Sequence, residues 1–143
     1  MPVDEITIET GDWATLGEPC SHIRRVVFIQ EQSVDENEEL DTLDPVCTHF
    51  LIMYGQTLCG TARLLPDGHI GRVAILATHR GLGLGERLMH HVIEHARAKH
   101  FTECALSAQT YAIGFYEQLG FVAHGAVYID AGIPHRDMTL VLA

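Results

Sequence analysis

The chain has 143 residues, 47% of them hydrophobic and 20% charged, a balance that suits one globular domain and excludes a disordered tail protein. A formal net charge of −10, from 19 acids against 9 bases, argues against a nucleic-acid-binding face. No apolar run approaches the roughly 18 residues of a membrane helix. In chain order, Val3–Glu9 alternates as a strand broken by Gly11, and residues 19–31 read as a helix with Pro19 in its first turn. Ser33–Asp44 holds six acids in twelve residues with no apolar period, so it reads as a loop or an irregular helix. His49–Tyr54, Leu58–Leu65 and His69–Leu76 are successive strands, parted by Gly55-Gln56-Thr57 and by Pro66-Asp67-Gly68. At Arg80 the period changes: Leu84, Leu88, Val92, Ile93 and Ala96 recur at helical spacing. Cys104–Ser107 is a short strand, and Ala112–Leu119 a short helix ended by Gly120. Val122–Ile129 and Met138–Leu142 close the chain around Gly132-Ile133-Pro134. The order β-α-β-β-β-α-β-α-β-β predicts an α/β (α+β) fold, a mixed central sheet flanked by helices, in one domain over residues 1–143.

Met1-Pro2-Val3-Asp4-Glu5 lacks the basic and apolar regions of a signal peptide. The four cysteines form no CxxC, so free thiols in a reducing cytoplasm and no zinc cluster are expected. Charge is unevenly spread. Residues 1–62 carry 2 bases and 12 acids, whereas residues 63–100 carry 6 bases and 3 acids. The middle of the chain can therefore host an anion, while the first part would attract a cation.

The chemistry lies in Arg80-Gly81-Leu82-Gly83-Leu84-Gly85, which follows a strand and opens the strongest helix. Alternating glycines allow a tight turn without side chains in the way. Their N–H groups, with the unpaired N–H groups of the helix start, can converge on a phosphate. The dinucleotide fingerprint G-x-G-x-x-G fails from Gly81 at Glu86 and from Gly83 at Leu88, and no Gly-Lys-Ser/Thr follows.

Further on, Ala112-x-x-Phe115-Tyr116-Glu-Gln-Leu-Gly120-Phe121 forms a compact second block. Taken together, the two stretches resemble the pyrophosphate motif R/Q-x-x-G-x-G/A and the A-x-x-F-Y-x-x-x-G-F motif of the GNAT superfamily of N-acetyltransferases. Ile23-Arg24-x-x-Val27-Phe28-x-x-Glu31-Gln32 and Ala131-Gly132-Ile133-Pro134-His135-x-x-Met138 resemble its small ElaA-like branch. Ala77 stands where the family often has proline, and Gln109 where it often has asparagine.

The resemblance implies acetyl-CoA as co-substrate, without a metal, and an amine of a small molecule or peptide as acceptor. It implies two splayed parallel strands, with the pantetheine arm paired to the exposed backbone of Val73, Ala74 and Ile75. Arg80, Gly81, Leu82, Gly83, Leu84 and Gly85 would hold the pyrophosphate, and Gln109 the arm. The Ile75 N–H would stabilise the thioester oxygen and Tyr116 would protonate the leaving thiolate. No carboxylate lies on Gly71–Leu76, so Glu31 and His135 stand as candidates for a base or for acceptor contact. The acidic segment Asp35–Asp44 has two readings: it steers a cationic acceptor such as a polyamine, an amino sugar or a lysine side chain, or it is a solubilising loop. His90, His91 and His95 read as polar-face residues, and Cys104 as inert packing. Two further readings stay open, a non-catalytic acyl-CoA-binding module and an unrelated phosphate-binding α/β protein. A homodimer also stays open.

Overall fold

The computed structural model describes residues 5–142, so Val3 and Asp4 of the expected first strand lie outside the described residues. Strands β1 (Ile6–Gly11), β2 (Thr48–Tyr54), β3 (Thr57–Leu64) and β4 (Ile70–Ile75) form an antiparallel sheet in sequence order. Strands β5 (Glu103–Gln109), β6 (Val122–Asp130) and β7 (Ile133–Val141) form a second sheet ordered β5-β7-β6. Helices α1 (Trp13–Arg24), α2 (Glu36–Glu39), α3 (Leu84–Ala98) and α4 (Ile113–Gln118) complete the molecule. The expected alternation of strands and helices is therefore the observed one, with the short α2 added.

Gly11 does not break the first strand, because it pairs with His49 as the last residue of β1. Two further boundaries differ from expectation for local reasons. Helix α1 begins at Trp13, because the Asp12 carboxylate accepts the Thr15 N–H at 2.9 Å and caps it. Pro19 thus lies inside the helix, and the expected continuation over Arg25–Glu31 is wound as a π-helix. There the Gln32 N–H reaches back five residues to the Val27 carbonyl at 3.1 Å. At the other end, the β6–β7 turn is Ala131-Gly132, with φ of 51° and 76°, the left-handed pair of a tight hairpin. Strand β7 therefore starts at Ile133 and includes Pro134. The proline is tolerated because β5 pairs with β7 only as far as His135, so no β5 partner lies opposite position 134.

Strand β2 is buried on both faces. Phe50 and Ile52 pack under α3, whose Leu84, Leu88, Met89, Val92, Ile93 and Ala96 form one apolar stripe. Leu51, pointing the other way, packs with Ala74 against Leu16, Cys20, Ile23 and Val27. No helix among the described residues is long and apolar enough to cross a membrane.

The two sheets join at one point among the described residues. His69 forms a parallel bridge to Ala105, and the Ala105 N–H donates to the Gly68 carbonyl at 3.1 Å. Gly68 has φ of 96°, and a Cβ there would stand 2.6 Å from the Glu103 carbonyl oxygen. Only glycine lets the backbones come this close. Past that junction β4 and β5 belong to separate sheets, and a cleft opens between them.

Candidate active site

The cleft has a volume of about 830 Å³. Its β4 wall is shaped by a bulge: Thr61 lies opposite Ala74, but Arg63 lies opposite Gly71, so two steps on β3 span three on β4. Arg72 sits in this bulge at φ of 51°. Beyond it the Leu76 N–H donates to the Cys59 carbonyl at 2.8 Å. By the alternation of an antiparallel ladder, the peptide groups of Ile75 then face away from β3, toward the cleft. The Ile75 carbonyl accepts from Arg80 Nε at 2.9 Å.

The turn after β4 brings glycine backbone to the same cleft. Gly81 and Gly83 both have φ of 78°, and a Cβ on either would meet nothing within 4 Å. Packing does not require these glycines; the left-handed backbone does, and it leaves their amides uncovered. Gly83 caps α3, and the Arg87 N–H makes the first helical bond, to the Gly83 carbonyl at 3.2 Å. The N–H groups of Leu84, Gly85 and Glu86 precede that bond and lack helical partners. Bare amides at the start of a 15-residue helix fit a pyrophosphate.

Of the residues expected at the site, Glu31, Val73, Ala74, Ile75, Arg80, Gly81, Gly83, Leu84, Gly85, Gln109, Tyr116 and His135 all line this cleft. Leu82 does not; its side chain is 52% exposed. Glu31 and Arg80 form a two-pronged pair at 2.5 and 2.6 Å. Hydrogen bonding to Arg80 holds the Glu31 carboxyl below its usual range, which makes it a poor proton acceptor in this state. Gln109 donates to the Gln32 side chain at 2.9 Å, so the two amides meet across 77 positions of sequence. Tyr116 is half-buried between Phe115 and Phe121, and burial, with Tyr111 nearby, pushes its hydroxyl up to about 12. It is therefore protonated throughout the neutral range. His135 stacks on Tyr128, and its Nδ1 donates to the Ile133 carbonyl at 2.7 Å. A carbonyl can only accept, so this bond puts the proton on Nδ1 and leaves Nε2 as the lone-pair nitrogen of the neutral ring.

The acidic segment is not a free anionic surface. Arg24, 2% exposed, gives its Nε to Glu39 at 2.5 Å and its Nη1 and Nη2 to Asp44 at 2.9 and 3.1 Å. Arg63, 4% exposed, holds both oxygens of Asp41, at 2.9 and 2.7 Å, and Asp44 at 2.9 Å. Hydrogen bonds from Arg63 bring the Asp41 carboxyl down to about 2. Burial opposes charge on Asp44, yet Arg24 and Arg63 keep its pKa lowered. Asp35 caps α2 through the Asn37 N–H at 2.8 Å, and Glu36 pairs with Arg25 at 3.1 Å. Five of the six carboxylates are thus engaged within the protein, which removes most of the charge that would steer a cation. Glu38, exposed and on the cleft, is the remaining one.

The other candidates stay apart from the cleft. Burial pushes the Cys104 thiol up to about 11, inside the core. His90 and His91 are exposed on α3, with His91 Nε2 3.1 Å from Thr10 Oγ1, and His95 stands edge-on to Phe50. Among the described residues no group of three or more His, Cys, Asp and Glu could hold a metal ion.

Comparison with known proteins agrees with this arrangement. The family model described as an acetyltransferase (GNAT) domain matches residues 25–142. The uncharacterised Bacillus subtilis protein YyaT is 39% identical over 82% of this chain and 83% of its own. Escherichia coli ElaA is 30% identical over 81% of each chain. The ElaA crystal structure superposes with a TM-score of 0.84 over 94% of this chain and 99% of its own, at 26% identity. A crystal structure of an acyl-CoA N-acyltransferase from Pseudomonas aeruginosa superposes equally well, with a TM-score of 0.84 and 30% identity over 95% and 99% of the two chains. With the splayed strands, the bulge and the bare glycine turn in place, the chain belongs to the GNAT superfamily of N-acetyltransferases and is related to its ElaA-like branch.

Proposed function

We propose that this protein transfers the acetyl group of acetyl-CoA directly to a primary amine. Family membership supports a CoA thioester as the donor. The observation that carries the finer reading is the peptide face of Val73–Ile75, open to the same cleft as the left-handed turn Gly81–Gly83 and the Tyr116 side chain.

Bound acetyl-CoA supplies an activated acetyl group, a thioester whose carbonyl carbon an amine can attack. The amides of Gly81–Gly85 hold the pyrophosphate. The Ile75 N–H donates to the thioester oxygen, where negative charge grows as the amine adds. His135 Nε2 takes the proton that the attacking nitrogen sheds. The Tyr116 hydroxyl gives its proton to the departing sulfur. Of the two base candidates we favour His135, because Glu31 is occupied by Arg80. One C–N bond forms, one C–S bond breaks, and no group on the protein is acylated.

The test is thermal unfolding with excess acetyl-CoA, ATP and NADH in separate arms, followed by thiol release on addition of amines. A ligand at about 100 times its dissociation constant adds ~2.7 kcal/mol, a rise of several degrees for a domain of this size. A shift with acetyl-CoA alone and amine-dependent thiol release are the expected results. An equal shift with ATP overturns the donor assignment, and a shift without release under any amine leaves a binding module.

A further inference from the structure

We propose that the acceptor amine carries an oxyanion, a carboxylate or a phosphate, and that Arg72 recognises it. The inference rests on the acetyltransferase reading and names the substrate class of the same site.

Arg72 lines the cleft immediately before the Val73–Ile75 peptide face. A bulge holds it there in a left-handed conformation, φ 51°, that a β strand does not otherwise require. Its guanidinium is poorly served by its neighbours. Glu39 Oε1 is taken by Arg24 and lies 3.7 Å from Arg72 Nε. Asp44 is shared by Arg24 and Arg63, and Asp41 has both oxygens on Arg63. What reaches Arg72 is the Glu39 carbonyl at 2.8 Å and one Asp41 oxygen at 3.2 Å, both on Nη2. The Nε is buried without a hydrogen-bond partner, and among the described residues Nη1 has none either. The side chain keeps 25% of its surface exposed. Burial, then the neighbouring guanidiniums of Arg63 and Arg24, push its pKa down, although three carboxylates balance the three arginines of the cluster. Nη1, left unpartnered on the cleft wall, can donate to one oxygen of an oxyanion that the guanidinium charge also attracts.

The position also suits the reaction. Arg72 precedes Ile75 by three residues, roughly 7–10 Å along a strand. A small acceptor fits in that span, its anion on Arg72 and its amine toward the Ile75 N–H. Glu39, Asp41 and Asp44 are already bound to arginines, and among the described residues Glu38, Glu86 and Asp130 are the cleft carboxylates without an arginine partner.

The experiment follows thiol release from acetyl-CoA by the full chain with matched acceptors. Glutamate and phenylalanine are compared with their α-carboxamides, glucosamine 6-phosphate with glucosamine, and spermidine serves as the polycation. The amides have the less basic amines, so any bias from amine reactivity runs against the proposal. The expected result is at least a tenfold higher kcat/KM for the oxyanion-bearing member of a pair. The amino-acid and sugar arms tell carboxylate from phosphate. Arg72→Gln should abolish that preference through KM, and Arg72→Lys should retain part of it; both variants should keep the acetyl-CoA midpoint shift. Equal kcat/KM within every pair, a preference for spermidine, or a preference that survives Arg72→Gln overturns the proposal. If no amine is acetylated, the same probes are added to the CoA-bound protein in thermal unfolding. No midpoint rise with any oxyanion-bearing probe overturns the proposal there, and a rise lost in Arg72→Gln upholds it. Failure of acetyl-CoA itself to shift the wild-type midpoint overturns the acetyltransferase reading instead.

Discussion

Gly68→Ala isolates the contact on which the cleft depends. An alanine at this left-handed position costs about 1–2 kcal/mol in backbone strain. Its Cβ would stand 2.6 Å from the Glu103 carbonyl oxygen, a backbone atom that cannot swing aside as a side-chain tip can. The strands must part, and the Ala105–Gly68 hydrogen bond goes with them, a further loss of about 0.5–1.5 kcal/mol. Together these give ~1.5–3.5 kcal/mol, or a midpoint lower by roughly 5–14 °C in thermal unfolding. Gly55→Ala is the internal control. Gly55 also has positive φ, 59°, but a Cβ there meets nothing within 4 Å, so only the strain of about 1–2 kcal/mol applies. The excess loss at Gly68 reads out the sheet junction. The acetyl-CoA midpoint shift should also shrink in Gly68→Ala and not in Gly55→Ala. Equal destabilisation by the two substitutions would falsify the claim that close approach, rather than turn geometry, fixes glycine at position 68.

Tyr116→Phe should lower turnover at least tenfold with little change in acetyl-CoA affinity, measured by steady-state thiol release. Because burial holds the hydroxyl near 12, its ionisation should cause no fall in wild-type turnover below about pH 10. Glu31→Gln frees Arg80 from an exposed ion pair of about 0–1 kcal/mol, so acetyl-CoA should bind up to roughly fivefold more tightly by calorimetry; weaker binding refutes the competition. Asp41 has a folded value of about 2, below its usual 3.8, so it stabilises the fold above about pH 4 and loses that effect as pH falls toward 2. Asp41→Asn should therefore cost up to about 2 kcal/mol at pH 7, with the gap to wild type closing on acidification in denaturant titrations.

The parts of the fold written in short periods were legible from sequence. The meander, the α3 stripe and the glycine turn each declare themselves within a dozen residues. The start of α1 was not, because Pro19 is a helix-start signal that outweighed the Asp12 cap seven residues earlier. The role of Gly68 was half legible: Pro66-Asp67-Gly68 announces a turn, but the Glu103 carbonyl that excludes a side chain lies 35 positions on. The acidic segment kept two readings for the same reason. Glu39, Asp41 and Asp44 meet Arg24 and Arg63 across 15 to 22 positions, and a run of acids so paired has the same composition as a solvated one. Gln32 was visible as part of a motif, but its partner Gln109 was not. Arg72 looked like an ordinary strand residue until the bulge and its crowded neighbours were on view.

The Arg80–Glu31 pair gives the cleft a resident anion. It ties the end of the π-helical segment to the glycine turn across 49 positions. Any polyanion that takes Arg80 must take it from Glu31, so arrival is an exchange of partners rather than the capture of a bare cation. Departure runs the other way: the carboxylate is held beside the arginine by the chain itself, at an effective concentration set by that tether and not by the salt outside. Under the proposed function, Glu31 is thus a built-in competitor at the turn that holds the donor.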